Sequence, residues 1–167
     1  MHYLNIEVEG INNEGKQKIY KLSDFNGNKV IIYFYPEDDT PVCTKEAEEF
    51  RDIIDELKDF AILIGVSNSS IEEHIAFQNK HKLNFIILSD ENNKLKNMFK
   101  EHLKESSDIH RSTFILNENG DIIKAWEKVD VDEHSKEILE FLKSCSWQKA
   151  KKIEKCSYNK QRSKYGS

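Results

Sequence analysis

The sequence is poor in residues that staple or punctuate a chain: of 167 residues, three are cysteine, six glycine and two proline. Cysteines at 43, 145 and 156 are too few and too scattered for a disulfide-stapled secreted scaffold. In a reducing compartment each then needs an account as packing, metal ligand or reactive thiol. No apolar run approaches the roughly 18 residues of a membrane span. The start, Met1-His2-Tyr3-Leu4-Asn5, has neither the basic region nor the apolar stretch of a secretory leader. These absences predict a soluble, cytoplasmic protein with no membrane partner. The six histidines form no His-Glu-x-x-His and no zinc-spaced cluster with cysteine, and no Gly-rich phosphate loop occurs. No metal or other cofactor is therefore expected.

Leu, Ile, Val and Phe supply 45 of the 167 residues, above the roughly 20 % below which charged chains stay disordered. The length suits one domain. Net charge is −5 but unevenly placed: residues 144–167 carry seven Lys or Arg against Glu154 alone, so the remaining 143 residues stand at −11. An acidic body argues against a nucleic-acid partner, and the basic tail reads as a solvated segment. The division expected is a domain over 1–143 and a basic, partly disordered extension over 144–167.

Four runs read as buried strands: Lys29–Tyr35, Phe60–Ser67, Phe85–Leu88 and Thr113–Leu116. They are apolar, β-branched and continuous, as in a sheet covered on both faces. Asn117-Glu118-Asn119-Gly120 signals a hairpin into Asp121–Trp126. Between the strands, apolar residues return at helical spacing: Ala47, Phe50, Ile53, Ile54 and Leu57; Ile71, Ile75 and Phe77; Leu95, Met98, Phe99 and Leu103; Ile138, Leu139 and Leu142. With a polar hairpin near Ile6–Lys21, the order predicts an α/β domain with a mixed central sheet and helices on both faces.

Both prolines fall in Pro36-Glu37-Asp38-Asp39-Thr40-Pro41, which joins a central strand to the first long helix. Open α/β sheets place their ligands at such strand ends. Thr40 then Pro41 reads as an N-cap followed by the first helical residue, which puts Cys43 in the first turn. There a sulfur meets unpaired amides and the positive end of the helix dipole, both of which favour thiolate over thiol. Spacing alone leaves two readings open, a reactive thiol or a small buried hydrophobe. Asp38 and Asp39 read as solvated loop acids, Trp126 and Trp147 as packing and surface residues, and His110 as a loop histidine.

The segment Val30–Pro36, then Thr40-Pro41-Val42-Cys43-Thr44-Lys45-Glu46-Ala47 and Phe50-Arg51-Asp52, resembles the peroxiredoxins, nearest the bacterioferritin comigratory protein (PrxQ) branch. The pattern Pro-x-x-x-Thr-x-x-Cys is met by Pro36, Thr40 and Cys43. Gly65-Val66-Ser67, His74, Phe77, Leu88-Ser89-Asp90 and Arg111-Ser112-Thr113-Phe114-Ile115 follow in order, so the resemblance spans about Leu22 to Leu142. It implies a thioredoxin-like fold and thiol-dependent reduction of hydrogen peroxide or organic hydroperoxides. It also implies residue roles: Cys43 as peroxidatic cysteine, Thr40 and the Cys43 amide holding the peroxide oxygens, Arg111 beside the sulfur, Pro36 shielding the site and Glu46 orienting Arg111. The sulfur would cycle through a sulfenic acid.

One departure matters. Many members of that branch carry a resolving cysteine five residues after the peroxidatic one, and here that position is Glu48. The expectation is a one-Cys cycle with thioredoxin, glutaredoxin or a small thiol as reductant, in a monomer or weak homodimer. Cys145 and Cys156 are the alternative resolving thiols. A redox-sensing or binding module with little turnover is the alternative function.

Overall fold

A computed structural model of the chain describes residues 2–102 and 111–152. Its strands are β1 (Val8–Ile11), β2 (Gln17–Tyr20), β3 (Lys29–Phe34), β4 (Ala61–Ser67), β5 (Ile86–Ser89), β6 (Ser112–Leu116) and β7 (Ile122–Trp126). Its helices are α1 (Pro41–Leu57), α2 (Ile71–His81), α3 (Lys94–Lys100) and α4 (Val131–Lys152). The strands form one seven-stranded sheet in the order β2-β1-β5-β4-β3-β6-β7. β3, β4 and β5 run parallel, while β6, β7, β1 and β2 join antiparallel. The mixed α/β architecture follows the sequence pattern, and the N-terminal hairpin extends the sheet by pairing β1 with β5.

Two apolar layers sandwich the sheet. On one face Ile31, Tyr33, Leu63 and Ile87 pack against Phe50 and Leu57 of α1, Phe77 of α2 and Ile138 and Leu142 of α4. On the other, Val30, Ile32, Phe34, Ile64 and Phe114 pack against Leu95 and Phe99 of α3 and the N-terminal Tyr3 and Ile6. Successive β3 residues serve opposite layers, as the two-residue strand period requires, and both layers are apolar and buried, which explains the unbroken apolar run. At Gly65, paired with Tyr33, an added Cβ would lie 3.0 Å from the Tyr33 ring. Only glycine leaves that ring its place.

Helix ends differ from the sequence reading in instructive ways. α4 starts four residues before Ser135 and continues beyond Lys143 to Lys152; acidic Asp132 and Glu133 in its first turn complement the helix dipole. α3 ends at Lys100, so Leu103 lies outside the described residues, as do His110 and Cys156. Trp126 packs edge-on against His134 and Phe141. Among the described residues, no helix is long and apolar enough to cross a membrane.

α1 and α4 lie side by side and run the same way. Lys45 pairs with Asp132 near their starts, and Lys143 pairs with Glu56 at 3.9 Å near the end of α1. This parallel packing fixes which residues of α4 lie near which end of α1.

Candidate active site

The site forms where β3 leaves the sheet and β6 begins. These strands are antiparallel, with Phe34 opposite Ser112, so Arg111 sits level with Tyr35 although 76 residues separate them. The loop after Tyr35 then turns into α1, whose N-cap is Thr40 and whose first residue is Pro41. Cys43 occupies the third helical position, as the sequence predicts, and its residue is 2 % exposed.

Arg111 bridges the sulfur of Cys43 and the carboxyl of Glu46. Its Nη2 donates to Cys43 Sγ at 3.1 Å and its Nη1 donates to Glu46 Oε1 at 2.7 Å. Glu46 lies one turn beyond Cys43 on the same helix, so both groups face the guanidinium. Burial lowers the Arg111 pKa, but hydrogen bonding to Cys43 and the charge of Glu46 outweigh it and hold the guanidinium above its ordinary value. Glu46 is pushed up to about 7, chiefly by burial, with Arg111 opposing. Its Oε2 is buried without a hydrogen-bond partner, which is the local origin of that shift. Tyr33 lies fully buried beneath the site; burial first, then the nearby negative charge of Glu46, Asp38 and Cys43, raises its phenol well above the ordinary range.

The Thr40 side chain makes no capping bond. Its hydroxyl instead donates to the Glu37 carbonyl at 3.4 Å, while the Thr44 amide closes the first turn onto the Thr40 carbonyl at 2.8 Å. Thr40 is therefore an N-cap by position and backbone but not by side chain. Pro36 is exposed at the end of β3.

Asp38 differs most from the sequence reading. It is buried rather than solvated, with Oδ1 accepting from Tyr35 Oη at 2.6 Å and Oδ2 facing His74 Nδ1 at 2.6 Å. Asp39 is exposed and pairs with Lys80 and His81, each at 2.9 Å. The legible signal was His74: it falls among Ile71, Ile75 and Phe77 on the apolar face of α2, where a polar residue needs a buried partner.

Glu48, at the position of the missing cysteine, faces His81 at 3.3 Å and Arg51 at 3.8 Å. Cys43 is a free thiol and Cys145 is disulfide-bonded, so the two do not pair. Lys143 meets Glu56, 13 residues along α1 from Cys43. At 1.5 Å per residue, Cys145 therefore lies beside the far end of α1, about 20 Å from the helix start.

The model of the AhpC/TSA family matches residues 4–125. The chain belongs to this family. Its peroxiredoxin character is carried by close relatives. Peroxiredoxin Bcp of Bacillus subtilis is 41 % identical over 149 residues, covering 85 % of this chain and 92 % of that protein. The chloroplastic peroxiredoxin Q of Sedum lineare is 38 % identical over 130 residues, covering 74 % and 68 %. Among solved structures, the bacterioferritin comigratory protein of Xanthomonas campestris, studied for alkyl peroxide reduction, superposes with a TM-score of 0.73. It is 31 % identical, over 85 % of this chain and 92 % of that one. This peroxiredoxin thus has the thioredoxin-like fold that the resemblance implies.

Proposed function

We propose that this peroxiredoxin is a thiol peroxidase that reduces hydrogen peroxide and organic hydroperoxides in a one-Cys cycle. The observation that carries the proposal is the 3.1 Å contact between Arg111 Nη2 and the sulfur of Cys43 at the start of α1. A cation and helix-start amides together stabilise negative charge on sulfur.

Cys43 is assigned as nucleophile. Its thiolate attacks one oxygen of the peroxide, the O–O bond breaks, and sulfur keeps that oxygen as sulfenic acid. The departing alkoxide or hydroxide takes a proton from water and leaves as alcohol or water. Negative charge builds on the leaving oxygen during the step, and donors already in place there lower the barrier without reorganising. Arg111 is one such donor, since its fork serves sulfur and substrate from one rigid plane. The Thr40 hydroxyl and the Cys43 amide hold the peroxide oxygens, Glu46 fixes the guanidinium plane, and Pro36 screens the sulfur from water.

Two reductant thiols complete the cycle. The first displaces water from the sulfenic acid to give a mixed disulfide, and the second releases Cys43 with a disulfide of the reductant. Thioredoxin, glutaredoxin and small thiols are the candidate donors. The position of Cys145 beside the other end of α1 supports an external donor over Cys145, because a disulfide needs Cα atoms within about 7 Å. The catalytic unit is assigned to residues 1–143, with 144–167 as an appended basic segment. The protein is placed in the cytoplasm as a monomer or weak homodimer.

Stopped-flow oxidation of the reduced protein tests the proposal. Cys43 should react with peroxide at least about a hundredfold faster than free cysteine, the scale on which one preorganised donor acts. A rate equal to that of free cysteine would reject the enzyme assignment.

A further inference from the structure

α2 stands outside the Cys43–Arg111–Glu46 set, yet it grips the loop that leads into the helix bearing Cys43 and Glu46. His74 is 0 % exposed. Its Nδ1 faces Asp38 Oδ2 at 2.6 Å and its Nε2 faces the Leu88 carbonyl of β5 at 3.1 Å. The carbonyl can only accept, so Nε2 carries a proton, and a second proton lies between Nδ1 and the carboxylate. As a unit the pair is neutral and fully hydrogen-bonded. Tyr35 Oη donates to the other carboxylate oxygen at 2.6 Å, and the Asp38 amide donates to Ser69 Oγ at 3.2 Å. Ser89 Oγ closes the arrangement on the Ser69 carbonyl at 2.5 Å. Asp38 is thereby tied to β3, β5, α2 and the segment leading into α2.

The next residue shows what this anchoring does. Asp39 has φ 63°, a left-handed conformation that a non-glycine residue keeps only where its surroundings impose it. It directs the Asp39 carboxylate to His81 and Lys80 at the end of α2. His74 and His81 are seven residues apart, hence on one face of α2. Two successive aspartates thus meet two histidines of one helix, the first pair buried and the second near the surface. Immediately after them come Thr40 and the first turn bearing Cys43.

We propose that Asp38 and His74 are positioning residues: their buried pair fixes the 36–40 segment so that the Thr40 hydroxyl and the Cys43 amide meet an incoming peroxide in register. The proposal rests on the peroxidase reading above. Neither side chain touches sulfur or substrate; both act through the backbone of the loop.

The test compares two reactions of the same sulfur. Oxidation by hydrogen peroxide needs the aligned loop, whereas alkylation by iodoacetamide needs only the thiolate. In Asp38→Asn and His74→Gln the second-order rate with peroxide is expected to fall between about 10- and about 100-fold, the cost of a misplacement near 1 Å. Alkylation should stay within about threefold, and the double variant should lose no more than the worse single one, as for groups acting as a unit. Tyr35→Phe keeps the ring volume and removes one bond to Asp38, so it provides a variant that folds if the others do not. Its peroxide rate should drop at least about threefold with alkylation unchanged, consistent with one lost hydrogen bond. A folded variant that reacts with peroxide within twofold of wild type, or one whose two rates fall in parallel, overturns the assignment. Wild-type protein inert to peroxide would remove the peroxidase reading and this proposal together, whereas variants matching an active wild type would remove only the proposal.

Discussion

Glu46 shares one guanidinium with the sulfur of Cys43: Arg111 reaches Glu46 Oε1 at 2.7 Å and Cys43 Sγ at 3.1 Å. The carboxylate is buried with its second oxygen unpartnered, so the helix holds a charge that water would solvate better. With Glu46 raised from 4.5 to about 7 by burial, the folded protein binds more protons than the unfolded chain between those values. Stability contributed by the protonated form is full below about pH 4.5 and is lost as pH rises through 7. Denaturant unfolding should therefore show a decline of about 3 kcal/mol across that window attributable to this group. Glu46→Gln should flatten the decline and be the more stable protein at pH 8. An unchanged slope in the variant would refute the assignment.

Arg111 supplies both charge and direction. Arg111→Ala should slow peroxide oxidation by about 10²- to 10³-fold, as when one preorganised donor is removed. Arg111→Lys should fall between, because it returns the charge without the planar fork. Stopped-flow traces at constant pH separate the three proteins.

The three cysteines should behave unequally. Cys43→Ser abolishes turnover with every donor, whereas Cys145→Ser and Cys156→Ser keep most of theirs. Intact mass after peroxide should show one added oxygen, or a mixed disulfide with donor, at Cys43. A stoichiometric Cys43–Cys145 or Cys43–Cys156 bond would contradict the one-Cys cycle.

Glu48→Cys would return a thiol to the place five residues beyond Cys43. On an intact helix those Cα atoms stand about 8.7 Å apart, outside the range of a disulfide. Oxidation of this variant by peroxide should therefore close a bond only with loss of the first turns of α1, seen as reduced helical circular dichroism together with a mass lower by about 2 Da, the two hydrogen atoms that pass to the peroxide as the disulfide closes. Closure with helicity intact would be the contrary result.

Most of the frame was legible because it rests on local pattern. The unbroken apolar run of β3, the 3–4 spacing in α1 and the Thr40-Pro41 start each name their own structure. The contact between Cys43 and Arg111 was not readable from spacing, since it depends on β6 returning antiparallel beside β3; it entered through family resemblance. Asp38 was misread for a similar reason. A loop acid is solvated unless something buried answers it, and the answer, His74, comes 36 residues later on another element. The hairpin β1–β2 was visible, but nothing local to it selected β5 as its neighbour.

The two helices that bracket the loop begin differently. Ser70 and Glu73 close the start of α2 with reciprocal bonds, a cap worth about 1 kcal/mol. At α1 the Thr40 hydroxyl turns to Glu37 instead and no side chain seals the amides of the first turn. Under the proposed reaction those amides meet the peroxide, so a capping oxygen there would compete with an arriving one, and the stabilisation of a cap is forgone at the helix that bears Cys43. An aspartate at position 40 would supply that capping oxygen, and the same change would make a sturdier helix and an idle enzyme.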